Sequence, residues 1–296
     1  MRLSSKLRND LTGWAFIAPN VLGFLAFTLL PILFSLAISF TDWDYTQGLA
    51  SMRFNFGANF VEMWQDKWFV DSLRNTTVFA FSVVPVTIVL ALAIAVLVDR
   101  FAYFKKPIRL MLFMPYVSNV VAISIVWVMM YAPFGPFTQA VKALGISDPP
   151  KWLGDFKWAL PAVIIMSVWA SVGYAVMIYT AAIQGLPKEL YEAADIDGAS
   201  EVRKFFSITA PLLSPTTFFL VITNLIAAFQ VFGQIMVMTR GGPGTSTHVL
   251  GYYIYTAAFS FYRMGYASSI AWVLFLILLG VTLVQWRGQK RWVHSY

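Results

Sequence analysis

Cysteine is absent from the 296 residues, and histidine occurs only as His248 and His294. Disulfides and thiolate-bound metals are therefore excluded, and two histidines cannot build a dense metal cluster, so no metal site is expected. Charge is scarce too: 12% of residues are Asp, Glu, Lys or Arg, against roughly a quarter in soluble proteins. Nucleotide-hydrolysing and acyl-transfer signatures are missing as well. Gly241-Gly242-Pro243-Gly244 lacks the Lys-Ser/Thr of a phosphate loop. No Gly-x-Ser-x-Gly element supplies a nucleophile, and neither histidine falls within an apolar span, so an intramembrane hydrolase has no catalytic pair. The chain is expected to be non-catalytic. What remains is 59% hydrophobic and 17% aromatic, and the bilayer is the expected solvent.

Crossing a hydrocarbon core of about 30 Å takes roughly 20 apolar residues. Six stretches qualify, near 14–40, 75–98, 110–131, 158–183, 212–239 and 266–286, and none contains Asp, Glu, Lys or Arg. The fold class expected is all-α and polytopic, with six transmembrane helices. The first stretch follows Arg2, Lys6 and Arg8, but its apolar part exceeds the ~7–15 residues of a signal peptide, so it reads as a retained span. A cytoplasmic N-terminus puts thirteen of the 21 Lys and Arg inside, while the acids split evenly. The bias lies in the cations, which are what orient a membrane protein, so both termini are expected in the cytoplasm. The net charge of +7 is then explained by topology, and no nucleic-acid partner is expected. External Arg53, Lys67 and Arg74 run against the bias.

The organisation that follows is a cytoplasmic N-terminus over 1–13, a first span over 14–40, an external loop over 41–72, a core of spans over 73–286, and a cytoplasmic tail over 287–296. The external segments 41–72 and 132–157 are rich in Trp, Phe, Pro and Gly, including Trp43, Trp64, Trp68 and Trp152. That composition suits a lid of short interfacial helices and equally a landing platform for an external partner.

Between the fourth and fifth spans lies a polar cytoplasmic stretch. Pro187 reads as the first helical residue of a helix with Glu189 in its first turn. Gly198 suits a left-handed helix end, and Ser200 suits an N-cap for a second helix carrying Arg203, Lys204, Phe205 and Phe206. The product is a helix-turn-helix over 187–204 at the membrane surface. Small Ala193 and Ala194 admit close approach of a partner's backbone, and Leu190 and Tyr191 offer apolar grip beside Glu189 and Glu192.

Glu192-Ala193-Ala194, then Gly198, Ile208 and Ala210-Pro211, resembles the "EAA" motif of the membrane subunits of binding-protein-dependent ABC importers, with Ala210 in place of the usual Leu. Ile183-Gln184-Gly185-Leu186-Pro187, Asp195-Ile196-Asp197-Gly198-Ala199 and Thr239-Arg240-Gly241-Gly242-Pro243 are similar to its sugar branch. Within it the chain resembles the larger permease of the maltose type, without that protein's additional N-terminal spans and large external domain, or its counterpart in glycerol-3-phosphate importers. The resemblance implies a type I ABC importer permease fold in a bacterial or archaeal plasma membrane. It implies a second homologous permease, two ATPase subunits that bind ATP and Mg, and an external or periplasmic solute-binding protein. Glu189, Glu192, Ala193, Ala194, Gly198 and Arg203 would couple to the ATPase, and Gly241, Gly242 and Pro243 would lie in the external loop toward the binding protein.

Polar side chains inside charge-free spans mark the candidate solute pathway: Asn119, Ser167, Ser171, Tyr174, Asn224, Gln230 and Gln234. Ser167, Ser171 and Tyr174 share one helix face. Each residue reads either as a solute contact or as a helix–helix hydrogen bond, and for Asn119 the second reading is the stronger. By resemblance, these three and Asn224 match sugar-contacting positions, of which only Tyr174 keeps its residue type, while the next two matching positions are Ala228 and Val231. Amides, hydroxyls and aromatic faces suit an uncharged polyhydroxylated ligand. The expected function is import of a carbohydrate. A polyol or glycerol-3-phosphate is the alternative, and an ion-coupled secondary transporter the remote one, disfavoured by the absence of intramembrane acids.

Overall fold

A computed structural model describes residues 5–292 of the chain, with side chains from 12 to 289. The described residues fall into two compact units: one running to Gln65 together with Ile254–Val273, the other Asp66–Tyr253 together with the residues from Leu274 onward. Helix dominates both.

In the first unit, Ser5–Phe24 continues through a π-helical turn, Leu25–Leu29, into Leu30–Ser39. This is α1, whose stretch Thr12–Ser39 is long and apolar enough to cross a membrane and is only 6% buried. Trp14, Phe16 and Phe27 stand exposed along it, as suits a lipid-facing helix. A two-residue hairpin follows, β1 Thr41–Asp42 antiparallel to β2 Arg53–Phe54, with Thr41 opposite Phe54. Then comes α2, Ala58–Gln65. The Asn59 amide donates to the carbonyls of Ser39 (3.0 Å) and Thr41 (2.9 Å), satisfying backbone acceptors where α1 ends. Arg263 grips Glu62 with two bonds of 2.7 Å.

The second unit begins with α3, Lys67–Phe101, capped by Asp66, which accepts from the Trp68 amide at 2.9 Å. The helix therefore starts inside the segment read from sequence as the external loop 41–72. Next come α4 Lys105–Val117, α5 Val120–Met130, α6 Pro136–Ala143 and α7 Ala159–Gln184. Helix α7 packs on α3 and α4 around a core containing Phe79, Val163, Met166, Val176 and Tyr179. Gly173 makes one of these contacts: a Cβ there would run into the Leu112 carbonyl. The short α8, Lys188–Ile196, leads to α9, Glu201–Leu212, whose middle is a π-helical turn, then to α10 Ser214–Phe229 and α11 Gly233–Met238. The chain closes with α12 Leu250–Tyr255 and α13 Met264–Trp292.

Among the described residues, four helices meet the length and apolarity of a span: Thr12–Ser39, Lys67–Phe101, Ala159–Gln184 and Met264–Gln289. Two bent pairs, α4 with α5 at 98° and α9 with α10 at 63°, bring the number to six when each is counted as one span. The expected windows 110–131 and 212–239 are thus not straight helices. In the first, Pro115 removes an amide donor and the turn falls at Ser118-Asn119, with the Asn119 side chain accepting from the amides of Val121 (2.8 Å) and Ala122 (3.4 Å). In the second, the bend falls at Leu213, just before the Ser214-Pro215 helix start, and α10 ends at Phe229, so Gln230 lies in a further break.

Candidate functional site

Residues 187–204 form the helix-turn-helix expected from their sequence. Pro187 occupies the cap position with extended backbone, and the helix starts at Lys188, one residue later than expected. Gly198 has φ +69°, the left-handed geometry that costs a Cβ-bearing residue about 1–2 kcal/mol. The amides of Gly198 and Ala199 close the turn onto the carbonyls of Asp195 (3.0 Å) and Ala194 (2.9 Å). The Ser200 hydroxyl then caps α9 by accepting from the Arg203 amide at 3.3 Å.

Glu189, Glu192, Ala193 and Arg203 are exposed and Ala194 is half-buried. Tyr191 does not provide the outward grip expected of it: its hydroxyl turns inward to the Thr209 hydroxyl at 2.9 Å. Leu190, 41% exposed, does face outward, and the apolar surface is extended by Ile196, 88% exposed, with Val202 and Phe206, each 67% exposed. Three such side chains around a tight glycine turn present a knob fit for an apolar cleft. Sequence reasoning missed them because isolated apolar residues in a polar loop carry no periodic signal.

The candidate pathway residues divide between helix self-bonding and open surface. Ser167 is buried and donates to the Val163 carbonyl at 2.8 Å, and Ser171 donates to Ser167 at 2.7 Å while lying 3.2 Å from the Thr87 hydroxyl of α3. Asn224 donates to its own helix at the Leu220 carbonyl, 2.8 Å away. Asn119 caps α5. Tyr174 differs from these, since its ring stacks on half-exposed Tyr116 of α4 with centroids 4.7 Å apart and planes at 17°. Gln230 is exposed and Gln234 half-buried. The break at 118–119 and the break at 230–232 meet side by side, because a Cβ on Gly233 would stand 3.0 Å from Val120. Uncharged amide side chains stand at both breaks, Asn119 at the first and Gln230 and Gln234 at the second. Tyr116 escaped sequence reasoning because its ring is paired across two helices.

The Gly241-Gly242-Pro243 turn, expected on the external side, is pinned rather than free. Gly241 is buried with φ +82°, and a Cβ there would strike the His248 ring and stand 2.9 Å from Tyr252. Gly242 and Pro243 are half-buried and joined by a cis peptide. Asn75 of α3 donates to the carbonyls of Thr245 (2.7 Å) and His248 (2.9 Å), Thr245 donates to Asp71 at 2.7 Å, and Thr76 accepts from the Leu250 amide at 2.8 Å. His248 sits between Trp68, Tyr252 and Tyr253. Its burial pushes the imidazole pKa down to about 4 against the pull of Asp71 and Asp66, so it is neutral at physiological pH. The exposed residues flanking this turn are Arg240 and Gly244. Among the described residues no group of three His, Asp or Glu could hold a metal.

Residues 67–288 match the family described as binding-protein-dependent transport system inner membrane component. A probable ABC transporter permease protein, YesP of Bacillus subtilis (strain 168), is 33% identical over 299 residues, spanning 99% of this chain and 96% of that protein. The lactose transport system permease protein LacF of Rhizobium radiobacter is 34% identical over 294 residues, spanning 98% of this chain and 97% of that one. A chain in the crystal structure of a bacterial alginate ABC transporter, in complex with an alginate pentasaccharide-bound periplasmic protein, shares the fold with a TM-score of 0.82 at 22% identity over 98% of each chain. A family match over most of the chain, relatives a third identical along nearly their whole length, and the Glu192–Pro211 motif agree: the chain belongs to the inner membrane components of binding-protein-dependent transport systems.

Proposed function

We propose that the chain is one of two homologous permease subunits of an ATP-driven importer that moves a neutral carbohydrate delivered by an external solute-binding protein. Two ATPase subunits bind ATP and Mg on the cytoplasmic side, and both termini of this chain lie there. The observation that carries the reading is the exposed loop 187–204. Its Glu189, Glu192, Ala193 and apolar knob are presented outward, and they occur in a chain whose family is defined by binding-protein-dependent transport.

Closure of the ATPases on ATP would pull the loop, and the helix breaks at 118–119 and 230–232 would let the spans on either side rock against each other. Tyr174 with Tyr116, and Gln230 with Gln234, would line part of the route. The chemistry favours a neutral solute: aromatic faces and uncharged amides exchange hydrogen bonds with hydroxyls, whereas a phosphate or carboxylate would recruit Arg or Lys. The lactose transport permease among the relatives supports a sugar, and the alginate transporter that shares the fold supports an assembly with a periplasmic sugar-loaded protein.

Purification of the tagged chain from its native membrane, followed by ATP hydrolysis measured with and without sugar-loaded binding protein, tests the proposal. Recovery of an ATPase and a second permease with sugar-dependent stimulation is expected. A chain that purifies alone and transports on an ion gradient would overturn it.

A further inference from the structure

The loop 187–204 faces the spans across a cavity of about 420 Å³, lined by Asp99, Arg100 and Lys188 and also by apolar Val96, Ile183 and Leu186. A series of ion pairs runs beside this gap and ties the loop to the spans. Lys204, with its side chain 8% exposed, places its ammonium between Asp195 of α8 and Glu201 of α9, at 2.7 Å from Glu201. A buried ammonium needs its countercharges, so this fork holds the two limbs of the helix-turn-helix at one angle. The second carboxylate oxygen of Glu201 pairs with Arg100 at the end of α3.

The neighbouring Asp99 continues the series into the bundle. It lies 3.5 Å from both Lys105 and Arg109 of α4. Gln184 at the end of α7, with its amide oxygen facing Arg109, accepts from the guanidinium at 3.1 and 3.3 Å. Asp195, Lys204, Glu201 and Arg100 thus join the loop to α3, and Asp99, Arg109 and Gln184 join α3 to α4 and α7. The break at 118–119 lies at the far end of α4, so movement passed to the start of that helix reaches the candidate solute route.

We infer that Lys204 and Arg100 are positioning residues that carry displacement of the docking loop into α3 and α4, Glu201 being the shared carboxylate between them. The inference rests on the importer reading above and assigns to Lys204 a role distinct from that of exposed Arg203. Its logic is mechanical. Docking strength depends on the outward surface of the loop, whereas transmission depends on the inward ion pairs, so the two are separable by mutation.

The test uses the assembled transporter with Arg100→Gln, Glu201→Gln and the double variant, reading sugar transported per ATP hydrolysed in each purified complex. Each single variant is expected to keep its ATPase subunits yet lower that ratio about fivefold, and the double to be no worse than either single, as for residues acting through one contact. Lys204→Met should lower the ratio similarly. Unchanged ratios, or losses that multiply in the double variant, would overturn the inference while leaving the importer standing. If a substitution blocks assembly, Arg100→Lys, which keeps the charge, supplies the ratio: a loss smaller than that of Lys204→Met agrees with the inference, and no loss in both variants overturns it. Absence of an ATPase even from the unmutated complex would strike the importer reading itself.

Discussion

The loops 187–204 and 239–249 look alike as strings, since both are polar, glycine-bearing and set between apolar spans. They are built in opposite ways. The loop 187–204 closes its backbone bonds within itself, through Gly198, Asp195, Ala194 and Ser200, and leaves Glu189, Glu192, Ala193 and Arg203 outward while Tyr191 and Lys204 turn in. The loop 239–249, with Leu250 just after it, reaches 170 or more positions back along the chain, to Asp71, Asn75 and Thr76, and buries Gly241 against His248. A loop that satisfies itself locally is free to serve as an interface, while one that depends on distant partners serves to hold the fold.

Charge reversal is expected to break the comparison most sharply. Glu192→Lys should cut uptake more than about tenfold by putting a cation into the docking surface, with membrane insertion unchanged. Recovery of ATPase subunits with the purified variant checks it, and normal recovery with normal uptake would remove Glu192 from the interface.

The same substitution at two glycines sharpens the contrast. Gly241→Ala should destabilise by about 3 kcal/mol, because φ is unfavourable and the new Cβ meets a buried ring. Gly198→Ala should cost only about 1 kcal/mol, because φ alone opposes it and nothing lies within 4 Å of the added Cβ. Melting temperatures of the two purified variants give the order directly.

Acid should likewise find the loop 239–249 first. His248 has its folded pKa lowered to about 4 from 6.5, so the unfolded form binds the proton first. Stability is full above about pH 6.5 and falls as the pH drops toward 4, by up to about 3 kcal/mol in all. His248→Gln should flatten that slope, as read from melting curves across the range. The smallest effect expected is at the stacked pair: Tyr174→Ala should raise the KM for the sugar about fivefold with assembly intact, since one aromatic contact is worth about 1 kcal/mol.

Legibility from sequence followed the reach of the interactions. The spans, the left-handed Gly198 and the Ser200 cap were readable because they depend on apolar length or on neighbours within four residues. The bends at 118–119 and 213 were not, since hydropathy measures length and is blind to direction; Pro115 followed by Asn119 was the available signal for the first. The buried fork at Lys204 was hidden because Arg203 and Lys204 are indistinguishable until the helix phase is known. The interactions of His248 with Ser72 and of Asn75 with the His248 carbonyl join residues with no pattern in common.

The absence of cysteine makes a direct test of the docking surface simple. With the unique thiol of Ala193→Cys carrying a short photo-crosslinker in native membranes, the account predicts capture of an ATP-binding subunit, with a yield that changes when ATP is added. Capture of no ATPase from position 193, together with its capture from an external position such as Lys142→Cys, would contradict both the docking role of the loop and the orientation of the chain.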